Sequence, residues 1–153
     1  MNSNLIELLS SLNEYRVKYL IIGGYAYGVH AEPRYTKDID LWIDSSPGNA
    51  KKVLACLKNF GAPVSSLVEK NFIEPGFLLI FGKEPNRVDI LNQLKGLSFK
   101  VAYKESIIVN LGKVKIRVVS LEHLILLKKI ANRPQDKLDV TKLLKIKARL
   151  KAN

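Results

Sequence analysis

Cysteine is almost missing from this chain: Cys56 is the only one in 153 residues. A disulfide framework within the chain is therefore excluded. Set in Val53-Leu-Ala-Cys-Leu57, the thiol reads as a small core residue, not a reactive one. Histidine is scarce too, with only His30 and His123, so no His/Cys grouping supplies a zinc site. His30 and Glu32 make a His-x-Glu pair, but no Pro-Cys-x-x-Cys follows, which sets aside a zinc deaminase. No apolar run approaches the roughly 18 residues of a membrane helix. No internal repeat, low-complexity tract or Pro/Gly/Ser linker divides the chain. The start, Met1-Asn-Ser-Asn-Leu-Ile-Glu7, has an acid where a signal peptide carries basic residues, so a cytoplasmic location with no membrane partner is expected.

What is present is ordinary in bulk and uneven in charge. Apolar residues make up 47% and charged residues 25%, the balance of a folded globular domain. The length predicts one domain over 1–153. Net charge is +11, from 25 basic and 14 acidic residues. Met1 to Phe99 carries 11 basic and 10 acidic residues, whereas Lys100 to Asn153 carries 14 and 4. A basic flank of this kind concentrates phosphate-bearing ligands or nucleic acid, or is simply a solvated surface.

The element reading follows from periodicity. Asn4 and Glu7 have capping-box spacing for a first helix over residues 4–15, with Leu5, Leu8, Leu9 and Leu12 as its apolar stripe. Tyr19 to Ile22 reads as a buried strand stopped by Gly23-Gly24, and a short helix is expected over Tyr25 to His30. Asp38 to Asp44 alternates, with Ile39, Leu41 and Ile43 on one face and Asp38, Asp40, Trp42 and Asp44 on the other. Ser46-Pro47 opens a helix that Gly61 closes. Phe77 to Phe81 and Arg87 to Leu91 read as strands. Residues 107–111 and 114–119 read as a hairpin, Ser120 caps a helix through Ile130, and Pro134 opens a last basic helix to about Leu150. This order predicts an α/β (α+β) fold, a mixed sheet with flanking helices and a C-terminal helical pair. The expected division is a core over 1–119 and a basic helical part over 120–153.

Three features fit together chemically. A strand running through Ile22-Gly23-Gly24 into a helix lets backbone N–H groups approach phosphate. It has neither dinucleotide-fingerprint nor P-loop spacing. Asp38 and Asp40, two apart on a strand, leave the same face about 7 Å apart along the chain. Without a cation, two such carboxylates repel and one rises in pKa. Oxygen ligands of this kind suit Mg²⁺; an exposed strand face with two acids is the plainer alternative. Asp89 lies between Val88 and Ile90, so it faces away from the apolar layer of its own strand. If the two strands are neighbours, three carboxylates converge, enough for a two-metal site that steers attack at phosphorus.

The pattern Ile22-Gly23-Gly24, thirteen residues, Asp38-Ile39-Asp40-Leu41 and a later Asp89 resembles the signature of the nucleotidyltransferase superfamily with the DNA polymerase β-like fold. Arg34-Tyr-Thr36-Lys37-Asp38-Ile-Asp40 is similar to the form found in its small bacterial branch, which includes AbiEii-like toxins and minimal nucleotidyltransferases. Leu121-x-x-Leu124-x-x-x-Lys128 and Arg133-Pro134-x-Asp136-x-x-Asp139 resemble that branch's helical ending, so the likeness covers nearly the whole chain. Many members have Gly-Ser where this chain has Gly23-Gly24 followed by Tyr25.

The resemblance implies a metal-dependent transfer of NMP from an NTP, ATP or GTP, to a hydroxyl. The acceptor is an RNA or tRNA end, a protein or a small molecule, and a toxin–antitoxin role is one setting for it. Asp38, Asp40 and Asp89 would be catalytic and would hold Mg²⁺, or alternatively Mn²⁺. Gly23 and Gly24 would cradle phosphates. Tyr25, Arg34, Thr36, Lys37 and Lys128 are the further nucleotide-binding candidates. Arg133 and Lys137 read as helix ion-pair partners of Asp136 and Asp139; Tyr25, Tyr27 and Trp42 could stack on a base, although aromatics at a strand–helix junction are more often packing. Lys128, Lys129, Arg133 and the helix from Lys142 to Lys151 would steer a polyanion inward. The alternative from another class is an antitoxin or interaction partner on the same fold that acts by binding.

Overall fold

A computed structural model describes residues 1–152; Asn153, the last residue of the expected domain, lies outside the described residues. The helices are α1 (Ser3–Glu14), α2 (Gly23–His30), α3 (Pro47–Phe60), α4 (Glu69–Ile73), α5 (Phe99–Lys104), α6 (Leu121–Ala131) and α7 (Pro134–Ala152). The strands are β1 (Tyr19–Ile22), β2 (Asp38–Ile43), β3 (Leu78–Phe81), β4 (Arg87–Leu91), β5 (Ile107–Leu111) and β6 (Val114–Val118). They form one sheet in the order β3-β4-β2-β1-β6-β5. The β2–β4 and β1–β6 pairs are parallel and the others antiparallel. This is the mixed α/β sheet with flanking helices that the element pattern predicts.

Capping chemistry sets the helix ends. Asn2 begins α1, its Oδ1 accepting from the Leu5 N–H at 3.2 Å. The cap thus lies two residues before the expected Asn4, and the Asn4–Glu7 box is not what starts the helix. Leu5, Leu8, Leu9 and Leu12 are all buried, as their spacing requires. Each fully buried leucine contributes about 1.5–3 kcal/mol. Ser46 caps α3 ahead of Pro47, and Gly61 ends it in the left-handed region at φ 90°. Ser120 caps α6, and Asn132 ends it at φ 54°.

The apolar face of β2, Ile39, Leu41 and Ile43, joins the α1 and α3 stripes in the main core. Its opposite face divides into two regions. Trp42 is fully buried there, edge-on to Phe99 of α5 with ring centroids 5.3 Å apart. Neither α5 nor α4 shows in the sequence, because six and five residues are too short to display a helical period. The α5 cover closes one end of this face and leaves the Asp38–Asp40 end open.

Candidate active site

The parallel register pairs Asp38 with Arg87 and Asp40 with Asp89. Paired residues share a face, so the strands bring all three acids together: one oxygen from each of Asp38, Asp40 and Asp89 lies within 4.8 Å of the others. Asp89 is buried at 8% exposure. Burial, then the charges of Asp38 and Asp89, push the Asp40 carboxyl up to about 7. Burial and Asp89 raise Asp38 as well. Arg87 meets the cluster from its own strand. Its Nε and Nη2 donate to Asp89 Oδ1 and Oδ2, each at 2.9 Å, and Nη2 lies 3.6 Å from Asp38 Oδ2. An oxygen-only donor set that repels itself this strongly fits a hard divalent cation such as Mg²⁺ or Mn²⁺.

Beside the acids, α2 starts directly at Gly23, two residues earlier than the sequence suggests. Its N-cap, Ile22, offers no side-chain cap, so the first-turn N–H groups are left for an outside partner. Both glycines are sterically required. A Cβ at Gly23 would strike the Asp40 carboxylate, and the backbone there is left-handed at φ 69°. A Cβ at Gly24 would come within 2.5 Å of the Thr36 methyl. The Gly-Gly pair therefore lets a helix start against the acidic strand.

A second polar cluster ties the C-terminal helices to this wall. Asp139 on α7 accepts Arg34 Nη1 and Nη2 at 2.8 and 2.9 Å, and Gln135 Nε2 at 3.0 Å. Lys128 Nζ of α6 lies 2.8 Å from Asp139 and 3.4 Å from Asp136. Arg133 Nε meets Asp136 at 2.6 Å. Asp136 and Asp139 are each 1% exposed. Burial alone would raise both carboxyls. It is outweighed by hydrogen bonds from Arg133 at Asp136 and from Arg34 and Lys128 at Asp139, and both are held below the usual range. The Arg34 guanidinium also lies 4.1 Å from the Tyr27 ring centre.

These groups enclose a cavity of about 910 Å³. Its lining combines the acids with Arg34, Arg87, Lys128 and Arg133 and the aliphatic side chains of Leu94, Leu124, Leu127 and Ile130. Of the sequence candidates, Gly23, Gly24, Arg34, Asp38, Asp40, Asp89 and Lys128 line it. Tyr25 and Thr36 instead line a separate recess with Val29 and Leu111. Lys37 is exposed in a shallow depression beside Thr36 and Asp38. Tyr27 and Trp42 are buried packing residues.

The expected Arg133–Asp136 pair forms, but Asp139 pairs with Arg34 and Lys128, and not with Lys137. Lys128 is therefore a buried partner of two acids, not a mobile steering charge. His30 sits 2.7 Å from the Val119 carbonyl. Sequence reasoning passed over Arg87 and Lys95, which also line the cavity. Arg87 was legible, because the period of two that aligns Asp38 with Asp40 also aligns Arg87 with Asp89.

A family model described as a nucleotidyl transferase of unknown function (DUF2204) matches residues 1–152. Among solved structures, the fold is similar to the lincomycin-bound crystal structure of the lincosamide antibiotic adenylyltransferase LnuA. The TM-score is 0.61 at 18% identity, over 95% of this chain and 98% of that one. No curated protein sequence matches the chain.

Proposed function

Because the chain belongs to the DUF2204 nucleotidyl transferases, we propose that it moves a nucleoside monophosphate from ATP or GTP to a hydroxyl and releases pyrophosphate. The carrying observation is the set of three carboxylates within 4.8 Å of one another, beside the uncapped start of α2. Asp38, Asp40 and Asp89 are the metal ligands in this reading. A divalent cation, Mg²⁺ or Mn²⁺, bound there supplies positive charge to the reacting phosphate. The Gly23 and Gly24 N–H groups hold the β/γ-phosphates, as the open end of a helix favours. Asp89 accepts the acceptor's hydroxyl proton at a carboxylate oxygen. Arg34 and Lys128 present cationic edges to the phosphates while Asp139 fixes them in place. Thr36 acts by packing under Gly24, while Tyr25 of α2 and Lys37 of the loop before β2 lie outside the cavity.

The acceptor in this reading is a small molecule that carries a hydroxyl on an apolar frame. The aliphatic part of the cavity lining supports it, as does the antibiotic acceptor named for the structural neighbour. A macromolecular acceptor is the second reading: an RNA or tRNA end, or a partner protein in an AbiEii-like toxin–antitoxin pair. The exposed Lys145 and Arg149 of α7, which line a shallow recess near His30, favour it.

Incubation with α-labelled ATP and GTP, Mg²⁺ and separate pools of aminoglycosides and lincosamides, total RNA and cell protein decides between them. Label is expected in the small-molecule pool, and label in RNA or protein supports the second reading. No label in any pool, together with nucleotide affinity indifferent to EDTA, overturns transfer chemistry and leaves a binding protein.

A further inference from the structure

Arg87 is the only cation within ion-pair distance of the acidic triad among the described residues. It takes both oxygens of Asp89 at 2.9 Å and approaches Asp38 Oδ2 at 3.6 Å. Those are the oxygens a divalent cation needs. The guanidinium takes one acceptor site on each Asp89 oxygen, so a cation at coordination distance from Asp89, about 2.1 Å for Mg²⁺, competes with it for that carboxylate. Like charge adds to the conflict.

We propose that Arg87 is a built-in counter-ion that the metal displaces from Asp89, and that the released guanidinium then holds the triphosphate. This rests on the nucleotidyl-transfer reading and adds an order of events to it. The Arg87 side chain is 34% exposed and lines the same cavity as Gly23 and Gly24. It can leave Asp89 without leaving the site. Of the four other cavity cations, Arg34, Lys128 and Arg133 are held by Asp136 and Asp139, which lie outside the metal cluster, and Lys95 has no carboxylate partner among the described residues. Metal arrival frees none of them. Arg87 alone loses its partners at that moment, and its forked donors match phosphate oxygens. Before the metal arrives, the same contact lowers the repulsion among three crowded acids.

The test is Mn²⁺ titration without nucleotide, read by electron paramagnetic resonance, on wild type, Arg87→Met, Arg87→Lys and Asp89→Asn. Circular dichroism checks each fold. Arg87→Met is expected to bind Mn²⁺ at least about tenfold tighter than wild type, because a positive competitor is gone. It is also expected to bind a non-hydrolysable ATP or GTP analogue with Mn²⁺ at least about tenfold more weakly. Arg87→Lys, which cannot grip both oxygens of Asp89, falls between on both measures. If Arg87→Met fails to fold, Arg87→Lys carries the test, with the same signs. Wild type that binds Mn²⁺, an Asp89→Asn variant that loses it and an Arg87→Met variant with unchanged or weaker Mn²⁺ affinity overturn the Arg87 role alone. Unchanged analogue affinity overturns it likewise. Folded wild type and Arg87→Met that both ignore Mn²⁺ overturn the metal reading, and the Arg87 role with it.

Discussion

Replacing Asp40 with asparagine should make the metal-free protein more stable and the metal-supplemented protein indifferent to metal. Burial and two neighbouring acids move the Asp40 carboxyl from 3.8 to about 7. The folded state therefore holds this proton more tightly than the unfolded chain. The stability this gives is complete below about pH 4, falls as pH rises, and is gone above pH 7. At 1.36 kcal/mol per pH unit the ceiling is about 4 kcal/mol. Solvent screening in the open cavity reduces it to about 1–2 kcal/mol. Asparagine keeps the shape and removes the charge. In EDTA at pH 8, Asp40→Asn should melt about 2–8 °C above wild type, and the difference should shrink toward pH 4. Added Mg²⁺ or Mn²⁺ should raise the wild-type Tm and leave the variant where it was. Thermal melts by circular dichroism, from pH 4.5 to 8 with and without metal, read all of this. An Asp40→Asn variant that melts below wild type in EDTA at pH 8, or a gain that does not vary with pH, refutes the repulsion on which the metal site rests.

Three further outcomes follow from other contacts. Asp139→Ala leaves Arg34 and Lys128 facing each other without their shared acid, and should cost about 3–5 kcal/mol in urea unfolding. Asp136 and Asp139 are both held below the usual carboxylate range. Their stability is present above about pH 4 and lost below it, the opposite slope to Asp40, so the Asp139→Ala penalty should narrow in acid. Gly24→Ala drives a methyl into Thr36, within 2.5 Å, and should cost about 1–3 kcal/mol; Thr36→Ser removes that methyl and should recover part of the loss in a double-mutant cycle. Reversing charge at Lys145 and Arg149, both exposed on α7, should leave labelling of a small-molecule acceptor unchanged. A drop in labelling of RNA alone supports the macromolecular reading.

Signals of short range were legible in the sequence, and pairings across the fold were not. The period of two over Asp38 to Ile43 fixed the shared face of two acids, and the same rule placed Asp89 outward on β4. Adjacency of β2 and β4 lies 49 residues away in sequence and had to be assumed. The Gly-Gly element showed that something approaches the backbone, but its cause is internal as well: Asp40 and Thr36 occupy the space of both missing side chains. The C-terminal charge is the most instructive case. Counting charge treats every lysine as available, whereas the distribution of acids decides which ones are. Only four acids occur after Phe99, and two of them, Asp136 and Asp139, are buried where they bind Lys128, Arg133 and Arg34. The positive charge nearest the cavity is thus largely neutralised within the fold. The surface excess lies farther along α7, around Lys145 and Arg149. Those residues line a recess separate from the cavity that holds Asp40. Charge there is offered to a long polyanion that reaches both places, and it is not part of the lining that meets a triphosphate at Asp40. That task falls to groups lining the cavity, and Arg87 is the one whose carboxylate partners the metal would claim.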